Sequence, residues 1–145
     1  YRRGIYTTWR RSNPYPSMST FDAPSREVCT IRRDRSNTPL QALVTLNDPV
    51  YFEAAQGLAR RMMASGSRSE ERIVQGFRLC ISRPPTSAEL TRILQLQATT
   101  LRRLTSDPAR ARDLAGGTAV DTLEAASWAV VANVLLNLDE TLTKG

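Results

Sequence analysis

The segment before the last few residues of the chain is long enough for a helix but has no polar side. From Ala125 to Leu136 only Ser127 and Asn133 interrupt a run of apolar residues, so these residues fall on every face of a helix. A helix that is apolar all round must be surrounded by other elements in a globular protein. The run is too short for a membrane span, which needs roughly 20 residues. We therefore predict a buried central helix, about Val120 to Leu138, with other helices packed around it.

Signals for the start of a helix recur along the chain from residue 38 onward. Proline is favoured at the first helical position because it has no amide hydrogen to leave unpaired there. Ser65-Gly66 is expected to end the second helix with a left-handed glycine, and Gly116-Gly117 separates a short fifth helix from the central one. The expected starts are Thr38-Pro39, Asp48-Pro49, Ser69, a Thr86–Glu89 capping box and Asp107-Pro108. Residues 38–145 are thus predicted to form an all-α bundle of five or six helices.

Two of these helices have residues whose spacing predicts a shared face. Leu40, Leu43 and Val44 lie on one side of the first helix, as in an amphipathic helix. Asn133 and Asn137 are four residues apart on the otherwise apolar last helix. Buried amides are usually hydrogen-bonded. We expect this pair to hydrogen-bond within the bundle or at its carboxyl-terminal end, in preference to forming a buried polar site.

Residues 1–37 differ from the rest of the chain and are predicted to form an irregular arm rich in arginine and aromatic residues. They hold eight arginines and three carboxylates, a net charge of +5 out of the total of +6, and five of the nine aromatic residues. Prolines favour extended and turn backbone here. Tyr6–Trp9 and Val28–Ile31 could form short strands, because β-branched and aromatic residues suit a pleated surface. The aromatic side chains need a covering surface, so the arm is expected to pack on the bundle or on a missing domain.

The amino-acid composition excludes several kinds of catalytic and metal-binding site. The chain has no histidine, which removes imidazole bases, catalytic triads that depend on them, and imidazole metal sites. Cys29 and Cys80 are too few for a zinc site, which needs about four ligands. They could form a disulfide in an exported protein, or be two buried thiols. We predict no catalytic residues, no metal and no cofactor in this segment, and whether the parent protein is an enzyme stays open.

The candidate binding residues are arginines of the arm with one neighbouring amide. Guanidinium groups hold carboxylate, phosphate or sulfate bidentately, and the arm has too few acids to balance its cations. We nominate Arg26, Arg32, Arg33, Arg35 and Asn37 as an anion-binding patch. Alternating charges are also typical of a salt-bridged surface. The isoelectric point near 10.1 and the aromatic residues interleaved with arginine allow nucleic-acid binding as well. The nearly neutral bundle, which has no helix with clustered cations, argues against that class of partner.

Long stretches of the chain resemble a known family. The residues that carry the resemblance are FDAPSREVCT (21–30), RSNTPLQAL (35–43), LNDP (46–49) and LLNLDE (135–140). The chain resembles the planctomycete cytochrome-associated C-terminal domain family, whose function is unknown. The resemblance implies an exported or periplasmic protein in which any haem is carried by another domain, such as a c-type cytochrome domain. The resemblance also implies that the chain is the C-terminal part of a larger protein. The absence of a starting methionine predicts a processed chain or a piece of a longer one.

We expect a non-catalytic helical interaction or scaffold domain whose partners are the remaining domains of the parent protein, a c-type cytochrome domain among them. The alternative is that the arm forms part of a composite active or binding site, completed by another domain, for acidic or sulfated substrates. A second alternative is nucleic-acid binding.

Overall fold

A computed structural model describes residues 4–10, 12–32, 36–117 and 122–143. These residues form an all-α structure, as predicted, and contain no β-strand. The helices are α1 (Pro16–Thr20), α2 (Pro39–Asn47), α3 (Pro49–Met63), α4 (Ser69–Ile81), α5 (Ser87–Thr105), α6 (Pro108–Ala115), α7 (Thr122–Leu136) and α8 (Asp139–Thr143). Six of them, α2 to α7, correspond to the predicted bundle. No helix within the described ranges is long and apolar enough to span a membrane.

Helix α7 is the centre of the bundle, and its predicted burial is confirmed. It packs against α2, α3, α4, α5, α6 and α8. Eight of its fifteen residues are buried, including Trp128 and Leu135, which are fully inaccessible. Its first described residue is Thr122, so the predicted start at Val120 lies outside the described residues.

The close packing of α4 in the core depends on a residue without a side chain. A Cβ atom at Gly76 would lie 2.8 Å from Leu135 Cδ1 and 2.9 Å from Met62 Cε. Both neighbours are fully buried, so neither can move away into solvent. Gly76 thus allows α4 to approach both α3 and α7.

Most of the predicted helix starts are confirmed by side-chain caps. Thr38, Asp48, Thr86 and Asp107 each accept a hydrogen bond from a backbone amide of the first helical turn. Residues Thr38 and Thr86 belong to complete capping boxes. The break at Gly116-Gly117 is also confirmed, since both glycines have positive φ angles near 70°.

Two predicted helix ends are wrong. Ser69 is the first residue of α4, and the N-cap position is taken by Arg68, which makes no capping hydrogen bond. Gly66 is not left-handed, because α3 ends earlier at Met63, and Ala64 after it keeps a right-handed helical conformation. The hydroxyl of Ser65 donates to the carbonyl oxygen of Met62, which provides a partner for the helix end without a left-handed residue.

The two strands predicted in the arm are absent from its described residues. Gly4–Tyr6 forms a 3-10 turn, and a short helix, α1, follows at Pro16. Residues 28–31 are exposed and irregular, with bends at Val28 and Ile31. The only backbone bridge within the described ranges joins Arg10 to Asn13. A strand needs a neighbour to fill its hydrogen bonds, and the described part of the arm offers none.

The burial of α7 predicts a large difference between two leucine-to-aspartate variants. L135D places a charge in the fully buried centre and is expected to lower the free energy of unfolding by at least about 3 kcal/mol. L43D, at a leucine that is 58% exposed, should change it by less than about 0.5 kcal/mol. Urea unfolding followed by circular dichroism measures both. Similar stability of L135D and the unchanged chain would contradict the assigned core.

Candidate interaction surface

Helix α2 has its polar side inward and its apolar side outward. Its buried residues are Gln41, which is 1% exposed, and Thr45. Leu40, Leu43 and Leu46 are 57%, 58% and 44% exposed. At 100° per residue these leucines span about 120° of the helix, centred opposite the two buried polar residues. The predicted stripe of Leu40, Leu43 and Val44 is therefore not the side by which α2 packs on the protein.

The side-chain amide of Gln41 explains this orientation. Its Oε1 accepts from the backbone N–H of Thr38 at 2.9 Å, which completes the capping box. Its Nε2 donates to the carbonyl oxygen of Thr20 at 2.8 Å and to the Ser36 hydroxyl at 3.0 Å. The amide oxygen and both donor hydrogens thus have partners, so the desolvation cost of burial is offset. Gln41 joins the arm to the start of α2.

Asp22 strengthens the same junction from within the arm. Its carboxylate accepts from the backbone N–H of Ser36 at 2.9 Å and from the hydroxyl of that residue at 2.8 Å. The backbone of Asp22 is left-handed, with φ of 56°, a conformation that aspartate tolerates better than most residues. We name Thr20, Asp22, Ser36 and Gln41 the polar junction. Local sequence patterns do not predict this set of contacts, because the partners lie 5 to 21 positions apart.

A second set of polar contacts fixes the other buried residue of α2 to the end of α7. The Thr45 hydroxyl lies 2.5 Å from Asn137 Oδ1, and Asn133 Nδ2 donates to the Thr45 carbonyl oxygen at 3.4 Å. The prediction that Asn133 and Asn137 hydrogen-bond within the bundle is confirmed. Their partner was not foreseen, because threonine on a short helix has no distinctive spacing.

A further apolar residue is exposed at the start of α3. Val50 is 47% exposed and follows the three leucines in sequence. We name Leu40, Leu43, Leu46 and Val50 the leucine face. Helix α2 contains no charged residue, so an uncharged apolar surface is presented to the outside. Single exposed apolar residues are common on proteins, but a group of this kind is typical of an interaction site.

The three nominated anion-binding residues that the structure describes do not share one set of partners. Arg26 lies over the ring of Trp9, 5.4 Å from its centroid. Asn37 donates to Asp139 Oδ1 in α8 at 2.6 Å, which links the end of the arm to the end of the chain. Arg32 is exposed. Arg33 and Arg35 lie outside the described residues, so their part of the predicted patch stays a prediction.

The two cysteines lie in different environments and are not joined by a disulfide. Cys80 is buried in the main core, whereas Cys29 is exposed in the arm. The structure therefore contains no disulfide between them, and the expectation of two buried thiols is wrong for Cys29. The loop that carries Cys29 is exposed from Pro24 to Arg32, so no core is available to cover it. Within the described ranges, no group of three or more metal-ligating side chains is assembled.

Arg83 connects the end of α4, the start of α5 and α8. Its guanidinium is bidentate to Glu89, at 2.7 and 2.9 Å, and bidentate to Glu140, at 2.6 and 2.9 Å. The hydrogen bond from Arg83, with help from the Thr86 amide, lowers the pKa of Glu89 to about 2. The pKa of Glu140 is also lowered, chiefly by its hydrogen bond to Arg83. Both carboxylates therefore stay ionised in mildly acidic solution.

A comparison with known protein families shows to which family this chain belongs. The model of a family described as PSD1, protein of unknown function (DUF1553), matches residues 1–97. The chain belongs to the PSD1 family. The matched range contains the arm, the polar junction, the leucine face and helices up to the first part of α5, so these features lie within the PSD1 match. No curated protein and no solved structure matches the chain.

The polar junction predicts that one amide holds the arm on α2. Q41A removes the side-chain hydrogen bonds of Gln41 to Thr20, Asp22, Ser36 and Thr38, so we expect a loss of about 1–3 kcal/mol in the free energy of unfolding. Amide hydrogen exchange should accelerate in residues 16–32 while α7 stays protected. Q95A, at an exposed glutamine of α5, is the matched control. Unchanged exchange in the arm of Q41A would show that other contacts hold it.

The Arg83 cluster predicts a loss of stability in acid. The pKa of Glu89 falls from an ordinary 4.5 to about 2 on folding, so its contribution is complete above pH 4.5 and is lost as the pH falls towards 2. E89Q should reduce the slope of stability against pH in this window, measured by urea unfolding at a series of pH values. E70Q removes an exposed carboxylate of α4 and is the matched control. An equal slope in E89Q and the unchanged chain would contradict the assignment.

Proposed function

We propose that this chain is a non-catalytic interaction domain that binds an acidic amphipathic segment of its partner on the leucine face. The inverted orientation of α2 is the observation that supports this function. The helix is attached to its own protein by Gln41 and Thr45, so the leucines are not needed to hold it there. Each leucine that a partner covers would contribute roughly 1.5–3 kcal/mol.

The charge of the arm supports an acidic partner. Three arginines, at positions 32, 33 and 35, precede the first residue of α2 by no more than seven positions, and residues 1–37 carry a net charge of +5. Cationic charge close in sequence to an apolar surface favours a partner segment with carboxylates beside its apolar residues. The proposed partner is therefore a helical segment whose apolar side is flanked by Asp and Glu.

The resemblance of the sequence suggests where such a partner is found. We propose that the domain belongs to a larger exported, cytochrome-associated protein, and that the segment comes from one of its other domains, a c-type cytochrome domain among them. Haem would then be carried by that other domain. Acidic or sulfated substrates and nucleic acid are the competing ligands of the same basic arm.

The leucine face can be tested with designed peptides. The probe is an amphipathic helical peptide of about 20 residues with leucines on one side and glutamates on the other. We expect it to bind the chain and to bind L40D and L43D at least about tenfold more weakly, because each variant removes apolar contact and adds a charge that repels the peptide. A98D adds the same charge at an exposed position of α5 and should bind normally.

Other outcomes of this experiment overturn the proposal. Equal binding of the peptide to L43D would exclude the leucine face, and preference for a lysine version of the peptide would exclude an acidic partner. Sedimentation that shows a dimer, which L43D dissociates, would assign the face to a second copy of the chain. Tight, selective binding of heparin or duplex DNA across a salt series would favour the competing ligands instead.

A further inference from the structure

An open cavity of about 310 Å³ lies within the arm, apart from the leucine face. Its walls come from the first turn, from Trp9, from α1 and from the loop after α1. The lining residues are Gly4, Ile5, Trp9, Met18, Ala23, Pro24 and Arg26. All but Arg26 are apolar, glycine included, and the volume is at the lower end of the range for small-molecule sites. The cavity therefore suits one small apolar group with a single polar attachment point.

Arg26 supplies that attachment point. Its guanidinium lies 5.4 Å from the centroid of the Trp9 ring, in the position of a cation–π contact. No carboxylate among the described residues forms a hydrogen bond or ion pair with Arg26 that would occupy this fork. A guanidinium that rests on a ring face keeps its in-plane N–H groups available for a bidentate anion.

The backbone of the loop directs Arg26 towards Trp9. Arg26 has a left-handed conformation, with φ of 63°, which residues other than glycine, asparagine and aspartate rarely adopt. The turn that contains it is closed locally, since the Glu27 amide donates to the Ser25 hydroxyl at 3.4 Å. The loop thus places a cation at the border of an apolar cavity in the same part of the arm.

We propose that this cavity binds a small aromatic carboxylate. The ring would lie against Ile5, Met18 and Pro24, since thioether and ring contacts favour aromatic groups. The carboxylate would accept two hydrogen bonds from Arg26. A single guanidinium matches a monoanion, and the apolar walls leave unsatisfied any further polar group on the ligand. Two kinds of ligand combine an aromatic ring with a carboxylate in this way: a free aromatic acid, and the C-terminal end of a peptide chain whose last residue is phenylalanine.

The test follows the two tryptophan side chains of the 145-residue chain by their indole N–H signals in a proton–nitrogen correlation spectrum. The probes are 3-phenylpropionate, its neutral amide, and the peptide Gly-Gly-Phe with a free carboxylate. We expect 3-phenylpropionate to shift the signal of Trp9 and not that of the fully buried Trp128, which also reports whether each variant is folded. The amide should bind at least about tenfold more weakly. Binding of Gly-Gly-Phe as tight as that of the free acid assigns a chain end as the source, and weaker binding assigns a free acid.

Three variants separate the contribution of the Arg26 guanidinium from that of positive charge in general. R26Q should weaken the binding of 3-phenylpropionate about tenfold or more. R26K should weaken it less, because lysine keeps the positive charge but lacks the planar fork of the guanidinium. R32Q removes an exposed arginine that does not line the cavity and is the matched control. The proposal is overturned if the amide binds as well as the acid, if the Trp9 signal does not move, or if R32Q and R26Q are equally impaired. None of these results depends on the leucine face.

Discussion

The buried amide of Gln41 determines which side of α2 faces the protein. An amide without partners in the interior would cost about 1–3 kcal/mol, so the helix can bury this residue only where its oxygen and nitrogen are both hydrogen-bonded. The carbonyl oxygen of Thr20, the Ser36 hydroxyl and the Thr38 amide provide those partners. Because they are in the arm and at the start of the helix, the arm must be in place before α2 can have this orientation. The exposure of the leucines is a consequence of that requirement.

Helix α7, which packs against α2, also provides polar groups where it meets that helix. Helix α7 is buried among apolar residues over most of its length, and its polar contacts with α2 are made from Asn133 and from Asn137 just beyond its end. Apolar contacts are non-directional and would tolerate a rotation of α2 about its axis. Hydrogen bonds are directional, so Thr45 and Gln41 fix the rotation of the helix.

The fold could be predicted from the sequence to the extent that local chemistry determines it. Caps at Thr38, Asp48 and Thr86 act on amides two or three residues away, and the apolar content of α7 dictates its burial wherever the other helices lie. The orientation of α2 could not be predicted, because hydrophobic spacing gives the direction of an apolar side but not what covers it. Gln41 is satisfied by Thr20 and Ser36, and only the folded arm brings these groups together. The same reason applies to the nominated patch, in which Arg26 and Asn37 have unrelated partners.

Polar contacts also connect the segment after α7 to three earlier parts of the chain, and these contacts bear on how the leucine face is supported. Asn37 binds Asp139, Thr45 binds Asn137, and Arg83 binds Glu140, so the end of the arm, α2 and the turn after α4 all contact residues 137–140. Ion pairs and hydrogen bonds at exposed positions contribute little energy one at a time, but each restricts geometry. The surface that α2 presents is therefore held near both ends of the helix, by the polar junction at its start and by the segment that follows α7 near its end. A partner would meet a preformed face, and would lose less affinity to the ordering of that face than if it had to organise a free helix.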